Sequence, residues 1–335
     1  GEVACILKLP DVCLELVWPE SRAVVGLRVC KDLHDRLLRC CSRVLLQLNR
    51  NCGSPELLEE EVLSQDFRRL KQAQISLNFC SAPVSLCETL CAALSNAYAA
   101  SALRSLSLQQ ESKRSPIDCP GAVTQLANVL ESCAVLTHLD VSGHCLQSEG
   151  VEQLSLSLGM CTALQSLVLT SNEIGPRGAT SLAAALRPCA SLTDLHLNGN
   201  AIGEQGAREL SSSLGGWKSL RSLHVGWNDL GPEGAANLTQ NLAQCSHLAH
   251  LDLSWNGLGP DDARPLVSAL SCCTNLTRLD LGGNFVGPTG AAALAWLLGK
   301  SPSLTLRLSS TIGPKGATNL NRDSGVRGAT RRQCR

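Results

Sequence analysis

The sequence predicts an α/β solenoid with short parallel strands on a concave inner face, helices on a convex outer face and a helical cap at the N-terminal end. Three observations carry that prediction. Leu136, Leu164, Leu192, Leu220, Leu248 and Leu276 recur every 28 residues, and a fixed period of this length marks units that bury their apolar faces only against their neighbours. The five from Leu164 onward are each followed by an apolar pair with one residue between, Leu167/Leu169, Leu195/Leu197, Leu223/Val225, Leu251/Leu253 and Leu279/Leu281. This is the period-two pattern of a half-buried strand. After the strand, apolar residues at i, i+3, i+4 and i+7, as in Ala179, Leu182, Ala183 and Leu186, give a helix that packs one stripe on the strands.

Taken in order, residues 1–50 have a grammar of their own. Leu9-Pro10-Asp11-Val12-Cys13-Leu14-Glu15-Leu16-Val17 and the stretch from Arg22 to Leu33 read as amphipathic helices that cover the open apolar end of the solenoid. The same residues resemble the F-box, a short helical motif that opens on Leu-Pro and later carries a Val-Cys-basic triplet, here Val29-Cys30-Lys31. That resemblance implies docking on a ubiquitin-ligase adaptor, with the repeats behind it choosing a substrate. The chain opens on Gly1 rather than Met, which is expected of a fragment or processed product.

Residues 51–102 are expected to be a helical connector with degenerate repeats. Ser54-Pro55-Glu56 and Glu59-Glu60-Glu61 supply a cap, a proline at the first helical position and acids near the positive end of a helix. Ile75, Leu77 and Cys80 form a degenerate strand, and residues 85–94 read as helix. The repeats proper run over 103–320. Leu103, Leu106 and Leu108 make a strand core, and residues 111–116 are a loop inserted before Leu136. Gly175-Pro176, Gly231-Pro232, Gly259-Pro260, Gly287-Pro288 and Gly313-Pro314 turn strand into helix, with Pro where a helix start tolerates a missing N–H. Leu304, Leu306 and Leu308 form the strand of a shortened copy. Beyond Leu320 the apolar pattern stops, and residues 321–335, with Arg322, Arg327, Arg331, Arg332 and Arg335 against Asp323, read as a basic, disordered tail.

Two further residue types keep the repeat's phase. Asn172, Asn200, Asn228, Asn256 and Asn284 stand where the chain leaves each strand and its backbone groups lose ladder partners, and a stacked amide both donates and accepts. His144 and Thr311 take that place at the ends of the array. Cys133, Cys161, Cys189, Cys245 and Cys273, with Trp217 and Ser301, each lie three residues before the opening leucine of a copy. Thiols in this phase read as small buried hydrophobes. The chain's 18 cysteines include no CxxC pair, so a reducing, cytoplasmic setting is expected and a zinc ribbon is not.

The combined pattern resembles leucine-rich repeats of the ribonuclease-inhibitor type, shared by ribonuclease inhibitor, NOD-like receptors and Ran GTPase-activating protein, over roughly Leu103 to Leu320. The resemblance implies a horseshoe that binds proteins on its inner face, and the last of these relatives implies regulation of a small GTPase. With no nucleotide-binding module upstream in the sequence as given, a complete NOD-like receptor is not expected. The 29 basic and 29 acidic residues cancel, which removes any global pull toward nucleic acid or anionic membrane and departs from the acidic character of ribonuclease inhibitor. The longest apolar run, Ala291 to Leu298, is far short of the ~20 residues of a membrane helix.

Signatures of chemistry are missing. No HExxH, GxSxG or GxGxxG occurs, so no enzyme, cofactor or metal is expected. The outward strand positions form two rows: His138, Ser166, Asp194, Ser222, His250, Arg278, and Asp140, Val168, His196, His224, Asp252, Asp280. Neighbouring strands lie ~4.8 Å apart, so each row is continuous. His196, His224 and Asp252 are of types that ligate divalent metals, but a polar recognition surface is the preferred reading. Trp227 and Trp255 share one position, where other copies carry Ser171, Gly199 or Gly283. The core therefore does not need an aromatic there, and two indoles one repeat apart read either as a contact spot or as covers for the strand ends.

The expected function is a non-catalytic scaffold that binds a protein partner on the concave face through His196, His224, Trp227, His250, Asp252, Trp255, Arg278 and Asp280. The alternatives are a substrate-recognition adaptor of a cullin-type ubiquitin ligase and a regulator of a small GTPase.

Overall fold

A computed structural model of the protein describes residues 120–308 and, ahead of them, strands β1 (Cys5–Leu9), β2 (Val12–Leu16), β3 (Arg43–Leu48), β4 (Gln74–Cys80) and β5 (Leu103–Gln109). From α1 (Pro120–Glu131) the chain alternates regularly: β6 (His138–Asp140), α2 (Gln147–Leu158), β7 (Ser166–Val168), α3 (Gly175–Ala185), β8 (Asp194–His196), α4 (Gly203–Leu214) and β9 (Ser222–His224). It continues through α5 (Gly231–Leu242), β10 (His250–Asp252), α6 (Ala263–Leu270), β11 (Arg278–Asp280), α7 (Gly287–Lys300) and β12 (Thr305–Arg307). The chain divides into two compact units, residues 1–146 with 156–168 and residues 147–155 with 169–335.

In the first unit β1 and β2 pair antiparallel, from Cys5↔Leu16 to Leu9↔Val12, and β3 pairs antiparallel with β2 at Leu14↔Leu48. The expectation of helices over residues 1–50 is corrected at these stretches. Leu7-Lys8-Leu9 and Leu14-Glu15-Leu16 alternate with period two, and Pro10-Asp11 between them is a turn pair that stops a helix. Val29-Cys30-Lys31, the expected helices of 51–102 and the tail from 321 lie outside the described residues. From β3 onward the pairing is parallel: β3 with β4, β4 with β5, β5 with β6 and β6 with β7. The degenerate strands expected at Ile75 and Leu103 are thus β4 and β5, and Leu103, Leu106 and Leu108 are buried.

In the second unit β8 to β12 run parallel and in register, Leu195↔Leu223, Leu223↔Leu251, Leu251↔Leu279 and Leu279↔Leu306. The central leucines of β8 to β11 and the flanking Leu197, Val225, Leu253 and Leu281 are buried, while Leu306 in the last strand is half-buried. Helices α3, α5 and α7 start on the expected Gly-Pro, and each turns a stripe of small and branched residues inward, Ala179, Leu182 and Ala183 in α3. Close approach of neighbouring helices needs the smallest residues. A Cβ on Gly206 would stand 2.8 Å from that of Ala179. Among the described residues no helix is long and apolar enough to cross a membrane.

The asparagines have no solvent exposure. Asn228 shows their work: its Nδ2–H donates to Leu197 O at 2.9 Å and Gly226 O at 3.0 Å. Its Oδ1 accepts the N–H of Asn200 at 3.0 Å and of Ile202 at 3.4 Å. Asn200, Asn256 and Asn284 repeat the arrangement, each receiving the backbone N–H of the preceding asparagine. Every amide therefore ties two copies together, using both halves of its hydrogen-bonding capacity.

The cysteine position does more than fill space. Cys161 donates to Leu130 O at 3.5 Å, Cys245 to Leu214 O at 3.7 Å and Cys273 to Leu242 O at 3.5 Å. In the copy that carries Trp instead, Trp217 Nε1–H donates to Leu186 O at 2.9 Å. These carbonyls stand at the ends of the preceding copies' helices, where each already accepts the backbone N–H three residues on, as Leu214 O does from Trp217, and the side chain meets the second lone pair. Cys and Trp interchange because each is an apolar body with one donor. Cys133, Cys161, Cys189, Cys245 and Cys273 are buried thiols outside any disulfide, whereas the Cys272 thiol is exposed. Burial lifts the Cys189 and Cys245 thiols to about 11, and those of Cys133 and Cys273, each near another thiol, to about 12. The thiolate is the reactive form. Brief alkylation at neutral pH, read by peptide mass spectrometry, is therefore expected to modify Cys272 and spare these buried thiols until the chain is unfolded, and reductant is expected to leave Tm nearly unchanged. A Tm drop of several degrees would show that a disulfide supports the fold.

Candidate functional site

The open face of the second unit's sheet is built from the two strand positions that do not enter the core. Parallel register aligns Asp194, Ser222, His250, Arg278 and Thr305 in one row and His196, His224, Asp252, Asp280 and Arg307 in the other. The His196 and His224 rings stack, with centroids 4.2 Å apart and planes 12° from parallel. Nε2 of His224 lies 2.9 Å from Ser222 Oγ, and its Nδ1 lies 3.7 Å from Asp252 Oδ2.

Asp252 is the hub of this face. Its Oδ1 accepts the backbone N–H of Ser254 at 2.9 Å and the Ser254 hydroxyl at 2.7 Å, and its Oδ2 accepts Asn198 Nδ2–H at 3.0 Å. Asn198 Oδ1 in turn accepts the N–H of Gly226 at 2.8 Å. Burial alone would raise the Asp252 pKa, but His224, Ser254 and Asn198 outweigh it and hold the carboxyl at about 2, against an ordinary 3.8. The unfolded chain therefore binds this proton first on acidification. The stabilisation is complete above pH ~4 and disappears as pH falls through ~2, and at ~1.4 kcal/mol per pKa unit it amounts to about 2 kcal/mol. Urea unfolding at pH 5 and pH 2.5 is expected to show a smaller loss of stability on acidification in Asp252→Asn than in the native chain; equal losses would contradict the assignment.

The other carboxylates are also engaged. Asp280 Oδ1 accepts the N–H of Gly282 at 2.8 Å and its Oδ2 meets Arg307 at 3.2 Å, while Asp194 Oδ2 accepts the Thr193 hydroxyl at 2.6 Å. His250 is half-buried, and burial first, then Arg278 and His224, push its pKa below the usual histidine value, with Asp194 opposing. Arg278 is exposed. A depression of about 300 Å³ opens here, lined by His224, His250, Asp252, Arg278, Asp280 and Arg307, with Thr305 at its edge.

Trp227 and Trp255 sit beyond the ends of β9 and β10. They are 55% and 50% exposed, and their rings stack with centroids 4.3 Å apart and planes 20° from parallel. Their backbones are left-handed, with φ of 59° and 53°. Ser171, Gly199 and Gly283 take the same conformation at the equivalent place, with φ of 58°, 69° and 71°. Left-handed geometry suits glycine and strains a bulky residue by ~1 kcal/mol or more. The seat of the pair is Gly283, because a Cβ there would come within 2.3 Å of the Trp255 ring. Trp255 thus covers the next copy's loop, as one of the two sequence readings expected, while both indoles keep about half their surface in solvent.

Of the eight residues singled out from sequence, His224, His250, Asp252, Arg278 and Asp280 meet in the depression, His196 stacks beside it, and Trp227 and Trp255 stand off its lining. Sequence reasoning missed Asn198 and Ser254, which hold Asp252, and Thr305 and Arg307, which come from the shortened copy; Ser222, already in the outward row, is the partner of His224. The Leu306-Arg307-Leu308 alternation was the signal for the last. Among the described residues no group of three His, Cys, Asp or Glu side chains is placed to hold a metal ion, so His196, His224 and Asp252 do not form a chelating set.

The leucine-rich-repeat family model matches six segments, residues 132–155, 161–183, 189–211, 218–238, 244–267 and 272–295. No curated protein sequence matches the chain. Among solved structures, the crystal structure of an internalin (inlF) from Listeria monocytogenes str. 4b F2365 is similar, with 16% identity, a TM-score of 0.45, and coverage of 86% of this chain and 87% of that one.

Proposed function

From six leucine-rich repeats as the premise, we propose that this protein is a non-catalytic scaffold that binds a protein partner on the strand face of its second unit. Leucine-rich repeats generally mediate protein–protein interaction, and here the repeat spacing puts alternate strand side chains on one open face. The observation that carries the reading is the Trp227–Trp255 pair, two half-exposed indoles held in a strained left-handed backbone where other copies use Gly or Ser. Strain and exposure together are costs that packing alone does not offset, and Trp is enriched among residues that dominate interface energies. His196, His224, His250, Asp252, Arg278 and Asp280 supply polar, pre-oriented neighbours.

The ubiquitin-ligase adaptor reading gains no support from Leu9 and Val12–Leu16, which lie in strands, and no observation favours the small-GTPase reading. The test is recovery of a partner with the intact chain, followed by measurement of its affinity for the Trp227→Ser/Trp255→Ser variant. A partner that binds the folded variant unchanged would place the site elsewhere.

A further inference from the structure

We propose that the side chain captured by the Trp227–Trp255 pair is a cation, an arginine of a basic segment, whose guanidinium lies on the uncovered face of Trp227 with Asp229 and Asp252 close by. The proposal rests on the protein-binding reading of the same face and names its ligand chemistry. The place for a planar group follows from how this position of the repeat stacks. A Cβ on Gly199 would stand 3.3 Å from Ser171 Oγ, one on Gly283 would stand 2.3 Å from the Trp255 ring, and the Trp227 and Trp255 centroids are 4.3 Å apart. Trp255 is therefore covered by Trp227 and by the loop at Gly283. Trp227 has Trp255 on one face, and on its other side the equivalent residue is Gly199, which has no side chain and whose Cβ would have only Ser171 atoms as its three nearest neighbours. Copies repeat every ~4.8 Å, so Ser171 and Trp227 stand about 10 Å apart with room for one planar layer between them. Trp227 is 55% exposed, as a ring with one bare face must be.

Formal charge decides which planar group fits. From the loop of Ser171 to that of Trp255, residues 169–175, 194–203, 222–231 and 250–259 hold Glu173, Asp194, Asp229 and Asp252 and no Lys or Arg. Asp252 stays ionised although it is hydrogen-bonded. It also adjoins the indoles: a Cβ on Gly226, the residue before Trp227, would stand 3.0 Å from its Oδ1 and 3.2 Å from its Oδ2. Asp229 follows Trp227 by two residues, a backbone reach of ~7 Å. It is exposed and forms no ion pair among the described residues. The arginines of the face, Arg278 and Arg307, belong to β11 and β12, on the Trp255 side of the pair and away from the gap, and Arg307 meets Asp280. An indole face attracts a cation through its quadrupole, and a guanidinium is the cation that is also flat.

The probe is a library of random peptides displayed against the intact chain. Enriched peptides are expected to carry Arg. Synthetic copies should lose roughly tenfold in affinity when that Arg becomes citrulline, its flat but neutral counterpart, and should weaken as salt is raised. Asp229→Lys should lower affinity by a similar factor and Asp229→Asn by less, and a peptide with Glu in place of Arg should recover part of the binding to Asp229→Lys. Gly199→Trp fills the gap, in a backbone conformation that Trp227 and Trp255 already adopt, and should block the peptides. Enrichment of acidic or uncharged peptides, or none, overturns the proposal, and so does unchanged binding of the citrulline peptide. Binding untouched by a folded Gly199→Trp overturns the placement on Trp227; if that variant does not fold, unchanged affinity in Asp229→Lys overturns it instead. Peptides that need Trp227 and Trp255 but carry no cation overturn the cationic assignment and leave the protein-binding reading standing. Peptides indifferent to Trp227→Ser/Trp255→Ser as well overturn both.

Discussion

Replacing Trp227 and Trp255 together by Ser is expected to weaken partner binding at least tenfold while the circular-dichroism spectrum and Tm stay those of the native chain. Ser is the informative replacement because Ser171 already occupies the equivalent place with φ of 58°. The variant therefore needs no backbone change and leaves no cavity, since both indoles are about half in solvent. What it removes is the stacked apolar surface. Truncating an interface hot spot costs ~2 kcal/mol or more, and a tenfold loss corresponds to ~1.4 kcal/mol. A second variant with Gly at both places copies Gly199 and should behave alike. Unchanged affinity in either folded variant would mean that the pair only shelters the loop around Gly283.

Removing the amide of Asn228 is expected to cost more of the fold than its size implies. In Asn228→Ala the N–H groups of Asn200 and Ile202 lose their partner, and the carbonyls of Leu197 and Gly226 lose one of two donors, keeping Asn200 Nδ2–H and Gly199 N–H. Each buried group left unsatisfied costs ~1–3 kcal/mol, so a loss of at least ~2 kcal/mol is expected from urea unfolding. Asn228→Asp should not rescue it, because the carboxylate would be fully buried with one oxygen against the carbonyls of Leu197 and Gly226, to which it cannot donate. Leu195→Ala, a pure cavity in the adjoining strand, falls in the ~2–5 kcal/mol range of buried leucine truncations. A native unfolding midpoint for Asn228→Ala would show that water replaces the amide without cost; one for Leu195→Ala would show that the inward register is wrong.

The two variants separate what is legible in a repeat from what is not. Leu195 announces itself by period alone: a leucine that recurs at 28 residues and alternates with polar neighbours has one physical use. The asparagines are legible too, since a polar residue repeating beside buried leucines must be satisfying backbone groups. The cysteine position was half legible. Its phase marks burial, but only the fold brings each donor against the end of the preceding helix, about 31 residues back along the chain, as between Cys245 and Leu214.

The candidate site divides in the same way. Which side chains face outward, and in which two rows, follows from strand alternation, a local property of the backbone, and so do the positions of His224, His250, Asp252, Arg278 and Asp280. Their partners depend on lateral distance between copies. Asn198 reaches Asp252 across 54 positions of sequence, and Gly283 seats the ring of Trp255, contacts that arise because register stacks like positions side by side. The left-handed backbone of Trp227 and Trp255 is likewise set by the ladder, which imposes one conformation on that place in copy after copy whatever residue fills it. At the N-terminal end the alternation of Leu7-Lys8-Leu9 and Leu14-Glu15-Leu16 is a local strand signal that competes with amphipathic helical spacing over the same residues, and the antiparallel pairing of β1 with β2 decides for the strands. The sequence by itself determined the repeat, the inward leucines, the asparagine ladder and the outward rows, because each depends on periodicity alone. Only the tertiary structure decided which groups hold Asp252 and what seats the Trp255 ring, because those depend on side chains one and two copies away.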